Sequence, residues 1–141
     1  MRADKAQIRR LQRIERLRAL ARQDAARAAA QAEGTLAQLV RLSARTGAMR
    51  DEYGARTSIG DGLALLQHHA FVSGLSAIHH LTSADATQAR STADRLQQEL
   101  SLAERRRAAV EQRIDQASQA LAQRGAGEPT GSRRATGTLF E

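Results

Sequence analysis

Four histidines, His68, His69, His79 and His80, are the residues whose chemistry would matter most if they met, because imidazole pairs are common metal ligands. Their spacing argues against it. Adjacent histidines on a helix point ~100° apart, and helical zinc ligands need i, i+4 spacing, so these read as solvated or seam residues. Glu104, Glu111 and Asp115 lie among arginines at helical spacing and read as intrahelical ion pairs, not as a catalytic carboxylate pair. Gly60-Asp61-Gly62 lacks the lysine and the preceding strand of a phosphate-binding loop. The sequence therefore predicts no catalytic residue, no metal and no cofactor, and its chemistry is expected to lie in surfaces.

Two surfaces stand out. Residues 1–22 carry eight Arg or Lys against Asp4 and Glu15, while the rest of the chain is near neutral within a formal net charge of +7. Arg9, Arg10 and Arg13 sit there beside Ile8, Leu11, Ile14, Leu17 and Leu20, which step by three and so spiral around a helix. One facing helix cannot cover that arc, so Leu11 and Leu17 with the arginines are candidates for binding an acidic partner. Nucleic acid is disfavoured because this region has no aromatic residue for stacking. The second surface has two apolar stripes. Leu63, Leu66, Ala70, Gly74, Ala77 and Leu81 form one, and Phe71, Leu75 and Ile78, continued by Thr82, form the other at i, i+4, i+7. Only one can face a single helical neighbour, and the sequence leaves open which.

The elements that must position these surfaces are helices. The only proline is Pro129, so nothing interrupts two long helical patterns separated by residues 54–62, which hold three glycines. Asp4 with Gln7 reads as a capping box. From Ala21 a seam steps by four and three through Ala25, Ala28, Ala32, Thr35, Leu39, Leu42, Thr46, Met49 and Tyr53. Gly54 reads as a stop, and Ser58 or Asp61 as the cap of the next helix. That helix shows its cleanest heptad late, at Ala93, Leu96, Leu100, Ala103, Arg107, Val110, Ile114, Ala117 and Leu121. The expectation is an all-α fold: a long antiparallel two-helix coiled-coil hairpin over 1–124, with helix one over 4–53, a loop over 54–61 and helix two over 62–124. Residues 125–141, rich in Gly, Thr and Ser, are expected to be a disordered tail, with Leu139-Phe140 at its tip read as a frayed end rather than a short docking motif. Such a hairpin is a rod, without a pocket for a small-molecule substrate.

Folding at the glycine break sets residues 24–32 against 82–90, both without large apolar side chains. It sets Leu36, Leu39, Val40 and Leu42 against Val72, Leu75 and Ile78, and Ile8 to Leu20 against Leu96, Leu100, Leu102 and Ala103. No stretch reaches the ~20 apolar residues of a membrane span. No apolar run follows the N-terminal charges as in a secretory signal, and the arginines lack the serines of a mitochondrial leader. With no cysteine, a reducing compartment, the cytoplasm, is the default.

Asp51-Glu52-Tyr53, the glycine-containing loop, and Phe71-Val72-Ser73-Gly74-Leu75-Ser76-Ala77-Ile78 together resemble the flagellar export protein FliJ family. The resemblance covers roughly residues 31–114. It implies a non-enzymatic, stalk-like coiled coil of the type III export apparatus, at the inner face of the cell membrane. Its terminal end would insert into the export ATPase ring, and its loop-proximal face would touch the membrane export gate and export chaperones. Tyr53, Phe71 and Leu75 match the gate-facing pattern by position, while Ile78 and Thr82 keep the spacing with different residue types. A generic structural coiled coil, self-associating through the Phe71 stripe, and a membrane-surface or scaffold protein are the alternatives.

Overall fold

An alanine-rich chain whose only proline is Pro129 loses little by becoming helical before it, and two amphipathic helices joined by one linker can bury their stripes against each other. A computed structural model describes residues 2–56 and 59–127. It consists of α1, Arg2–Gly54, and α2, Gly62–Gly127, packed on one another with no strand among the described residues. The all-α hairpin expected from the sequence is what the chain adopts.

The helix ends show how local chemistry sets the boundaries. The backbone N–H of Ala64 donates to Asp61 Oδ1 at 2.6 Å, so Asp61 is the N-cap of α2. Ser58, the other candidate cap, lies outside the described residues. At its C-terminus α1 closes with an Arg56 N–H to Tyr53 carbonyl bond of 3.3 Å, and no described glycine has positive φ. Gly54 therefore ends the helix without a left-handed turn. Asp4 is not a cap: α1 already begins at Arg2, and an Asp4 carboxylate oxygen accepts from Arg124 at 2.7 Å. α2 runs three residues past the expected end at Arg124, and the rest of the expected tail, with Leu139 and Phe140, lies outside the described residues.

The chain forms two compact units, one of Ala21–Glu104 and one of Met1–Leu20 with Arg105–Glu141. In the first, α1 turns inward Arg22, Ala25, Ala29, Ala32, Leu36, Leu39, Ser43, Thr46, Arg50 and Tyr53, a strict four-three alternation. Half of the expected seam is correct. Ala21, Thr35 and Leu42 instead face solvent, because the structure uses Arg22, Leu36 and polar Ser43 in their place. α2 contributes Val72, Leu75, His79, Thr82, Ala86, Ala89, Ala93, Leu96, Leu100 and Ala103. The buried hydroxyls of Thr46 and Thr82 donate to the carbonyls of Leu42 and Ile78, one turn back, so each is satisfied within its own helix.

The register differs from folding at the break. Tyr53 meets Phe71, the Ser43 and Ser83 hydroxyls hydrogen-bond at 2.8 Å, and Arg22 pairs with Glu104 at 3.7 Å. Each partner lies roughly three helical turns later along α2 than expected. The reason is that the linker does not reverse the chain at the level of Gly54. α2 begins well before that level, so its opening turns have no α1 opposite them. The expected facing of 24–32 with 82–90, of Leu36 to Leu42 with Val72 to Ile78, and of Ile8 to Leu20 with Leu96 to Ala103 is therefore displaced.

In the second unit the expected late heptad of α2 is observed: Arg107, Val110, Ile114, Ala117 and Leu121 turn towards Ile8, Leu11 and Glu15. Arg107 occupies a seam position, and its Nε lies 3.1 Å from Glu15 and 3.2 Å from Glu111. A part-buried charge pair replaced by apolar residues of similar volume is often neutral or stabilising, whereas losing one partner is not. We expect Glu15→Ala to lower stability by about 1 kcal/mol and Glu15→Leu with Arg107→Leu to exceed wild type, read from urea midpoints. A double variant weaker than Glu15→Ala would contradict this account of the seam.

Candidate interaction surfaces

At the linker end of the hairpin, the edge of one ring meets the face of the other between Tyr53 and Phe71, with centroids 5.0 Å apart and planes at 82°. The Arg56 guanidinium lies 4.1 Å from the Tyr53 ring centroid, and its Nη2 lies 3.6 Å from Glu52 Oε1. This small cluster ties the last turn of α1 to α2. Of the predicted contact residues, Tyr53 is half-buried and Leu75 is 8% exposed, inside the seam. Phe71 and Ile78 are 46% and 48% exposed along one flank. The second stripe thus straddles the seam edge: Leu75 and Thr82 point in, Phe71 and Ile78 remain available. The first stripe points away from α1 throughout.

His79 has a structural task. Its Nδ1 lies 2.9 Å from the Ser43 carbonyl oxygen, and the ring rests on Gly47, where an added Cβ would come within 2.9 Å of Cε1. Glycine is required at this close approach. His80 faces solvent with its ring 6.2 Å from His79, and among the described residues no group of three or more His, Cys, Asp or Glu could hold a metal ion. Glu111 pairs within its helix with Arg107, as the sequence suggested. Glu104 does not: it reaches Arg22 of α1.

In the unit of Met1–Leu20 and Arg105–Glu141, Arg9, Arg10 and Arg13 are exposed, Leu11 is half-buried beside Arg113 and Ala117, and Leu17 is exposed with Leu20. Leu11 is therefore a packing residue, while Leu17 and the arginines form open surface. The described parts of this unit hold twelve Arg or Lys against four Asp or Glu, and 21–104 holds eight against nine. Sequence reasoning missed the Gly47–His79 notch and the unpaired opening turns of α2. A glycine seven residues before Gly54 was the available signal for the first.

No family model, no curated protein and no solved structure matches the chain. Among the described residues, no helix is long and apolar enough to cross a membrane.

Proposed function

We propose that the chain is a non-enzymatic helical adaptor of the flagellar type III export apparatus, working in the cytoplasm at the inner face of the membrane. The observation that carries this reading is the Tyr53–Phe71 contact. The two aromatic residues on which the family resemblance turns meet ring to ring beside the linker, with Phe71 and Ile78 open to a partner. On this reading the Phe71–Ile78 flank receives the export gate and export chaperones. The basic surface of Arg9, Arg10 and Arg13 with Leu17 engages the export ATPase ring, whose contact would have to be acidic and apolar. The concentration of positive charge in the unit that holds the start of α1 and the end of α2 supports that assignment.

The test uses the purified chain with a purified export ATPase and, separately, the cytoplasmic domain of the gate. The variants are Arg9→Glu/Arg13→Glu and Phe71→Ala/Ile78→Ala. Leu75 is left intact because its loss would unsettle the seam. We expect the ATPase to bind wild type and the Phe71 variant but not the arginine variant, and the gate domain to show the reverse. Absence of binding to either protein overturns the proposal, as does loss of both in both variants.

A further inference from the structure

The outward stripe of α2 is a better match to itself than to anything else on this molecule. Between Asp61 and Asp85 the chain has no Asp, Glu, Lys or Arg, in a sequence that is 26% charged. On the side of α2 away from α1 this stretch presents Leu63, Leu66 and Leu81 at 66%, 69% and 64% exposure, with Ala70, Gly74 and Ala77 between them. A solvated helix back is normally charged. This one is apolar and neutral.

The stripe also has a two-fold pattern. Leu63 and Leu81 lie equally far before and after position 72, Ala70 and Gly74 do likewise, and Leu66 and Ala77 nearly so. Turned end to end on a second copy, Ala70 falls on the partner's Gly74, Leu66 on the partner's Ala77, and Leu63 on the partner's Leu81. Side-chain size rises from the centre outwards. Two helices that cross do the same with space: they approach closest at the crossing and diverge on either side. Space beyond the Gly74 backbone is open, with nothing within 4 Å of a Cβ built there. Charge favours the same occupant. A chain of net charge +7 repels its copies, and this face is where two copies can meet without opposed charges.

We propose that the Leu63–Leu81 face of α2 is the interface of an antiparallel homodimer, two copies crossing at Ala70 and Gly74. The contact is small, on the order of 1,000 Å² in total, which is the lower limit for a specific interface and corresponds to a transient dimer. It is distinct from the Phe71–Ile78 flank, so the dimer and the export reading stand or fall separately.

Sedimentation equilibrium of the full chain tests it, with helicity followed by circular dichroism as a folding control. Wild type is expected to dimerise with a dissociation constant of roughly 10–100 µM. Gly74→Leu, which fills the crossing point, and Leu66→Glu, which charges the face, are each expected to weaken it more than tenfold. Phe71→Ala leaves it unchanged. Because the chain has no cysteine, orientation can be read directly. An equimolar mixture of Ala70→Cys and Gly74→Cys chains should oxidise mainly to the mixed dimer. A monomer at about 500 µM hands the face to a different occupant and overturns the proposal. So does a dimer indifferent to Gly74→Leu and Leu66→Glu, or one lost with Phe71→Ala. Preferential cross-linking of Ala70→Cys to itself would reject the antiparallel arrangement.

Discussion

Ala93→Leu is expected to destabilise the chain by about 3 kcal/mol, more than any change at its large exposed leucines. Ala93 is 1% exposed, the most buried hydrophobic residue among those described, and Ala29 at 3% is next. The register carried by Ser43–Ser83 and Arg22–Glu104 sets Ala93 level with Ala32 and Ala29 level with Leu96, in neighbouring layers of the seam. Small side chains there let two backbones approach closely, so added methylenes have nowhere to go except between the helices. Forcing the helices apart would also loosen the neighbouring Ala25, Ala32, Ala89 and Leu96. The same substitution at exposed Ala108 should change stability by no more than about 0.5 kcal/mol, which separates packing from helix propensity. Urea unfolding of both variants decides it. Equal stabilities would mean that the alanine seam is loose and that the close approach is not a source of stability.

The contrast between Ala93 and Leu66 marks how the sequence should be read here. In helix two the late heptad was legible because its members are aliphatic and recur over many turns. In helix one only alternate seam positions could be seen. Arg22, Ser43 and Arg50 take three of the other five, where polar types read as solvent positions until a partner is known, and Ala29 and Leu36 each lie one residue from the position expected. Ser43 shows why such a residue is tolerated: its hydroxyl meets Ser83 and its carbonyl oxygen meets His79. The register was illegible for another reason. A glycine-rich linker says that the chain turns but not at what height the second helix begins. An alanine-rich seam has few distinctive sizes to select one pairing over another three turns away. Glu104 illustrates the consequence. Its helical neighbours suggested a local partner, and only the true register brings Arg22 of the other helix within reach. Of the candidate surface, Phe71, Ile78, Leu17 and the arginines were readable as exposed features. Leu75 and Leu11 were readable only as apolar residues, because burial depends on which helix lies opposite.

What selects the register is a small set of contacts that fit in one alignment only, and Gly47 is the sharpest of them. Gly47→Ala should raise stability by about 1 kcal/mol if helix propensity alone operated. The built Cβ instead meets His79 Cε1 at 2.9 Å and Nδ1 at 3.0 Å, and the ring is held by the Ser43 carbonyl oxygen at 2.9 Å. Moving the ring sacrifices that contact and disturbs Thr82 beside it, so we expect Gly47→Ala to lower stability by about 1 kcal/mol. In a His79→Ala background the obstruction is gone, and the same substitution should raise stability by about 1 kcal/mol. The coupling of about 2 kcal/mol, with its reversal of sign, is the signature of a notch occupied by a ring. Urea denaturation of the four proteins in that cycle measures it. A Gly47→Ala effect of the same sign and size in both backgrounds would show that His79 does not rest on Gly47 in solution. The alignment would then have to be held elsewhere, with Tyr53 and Phe71 as the next contact to test.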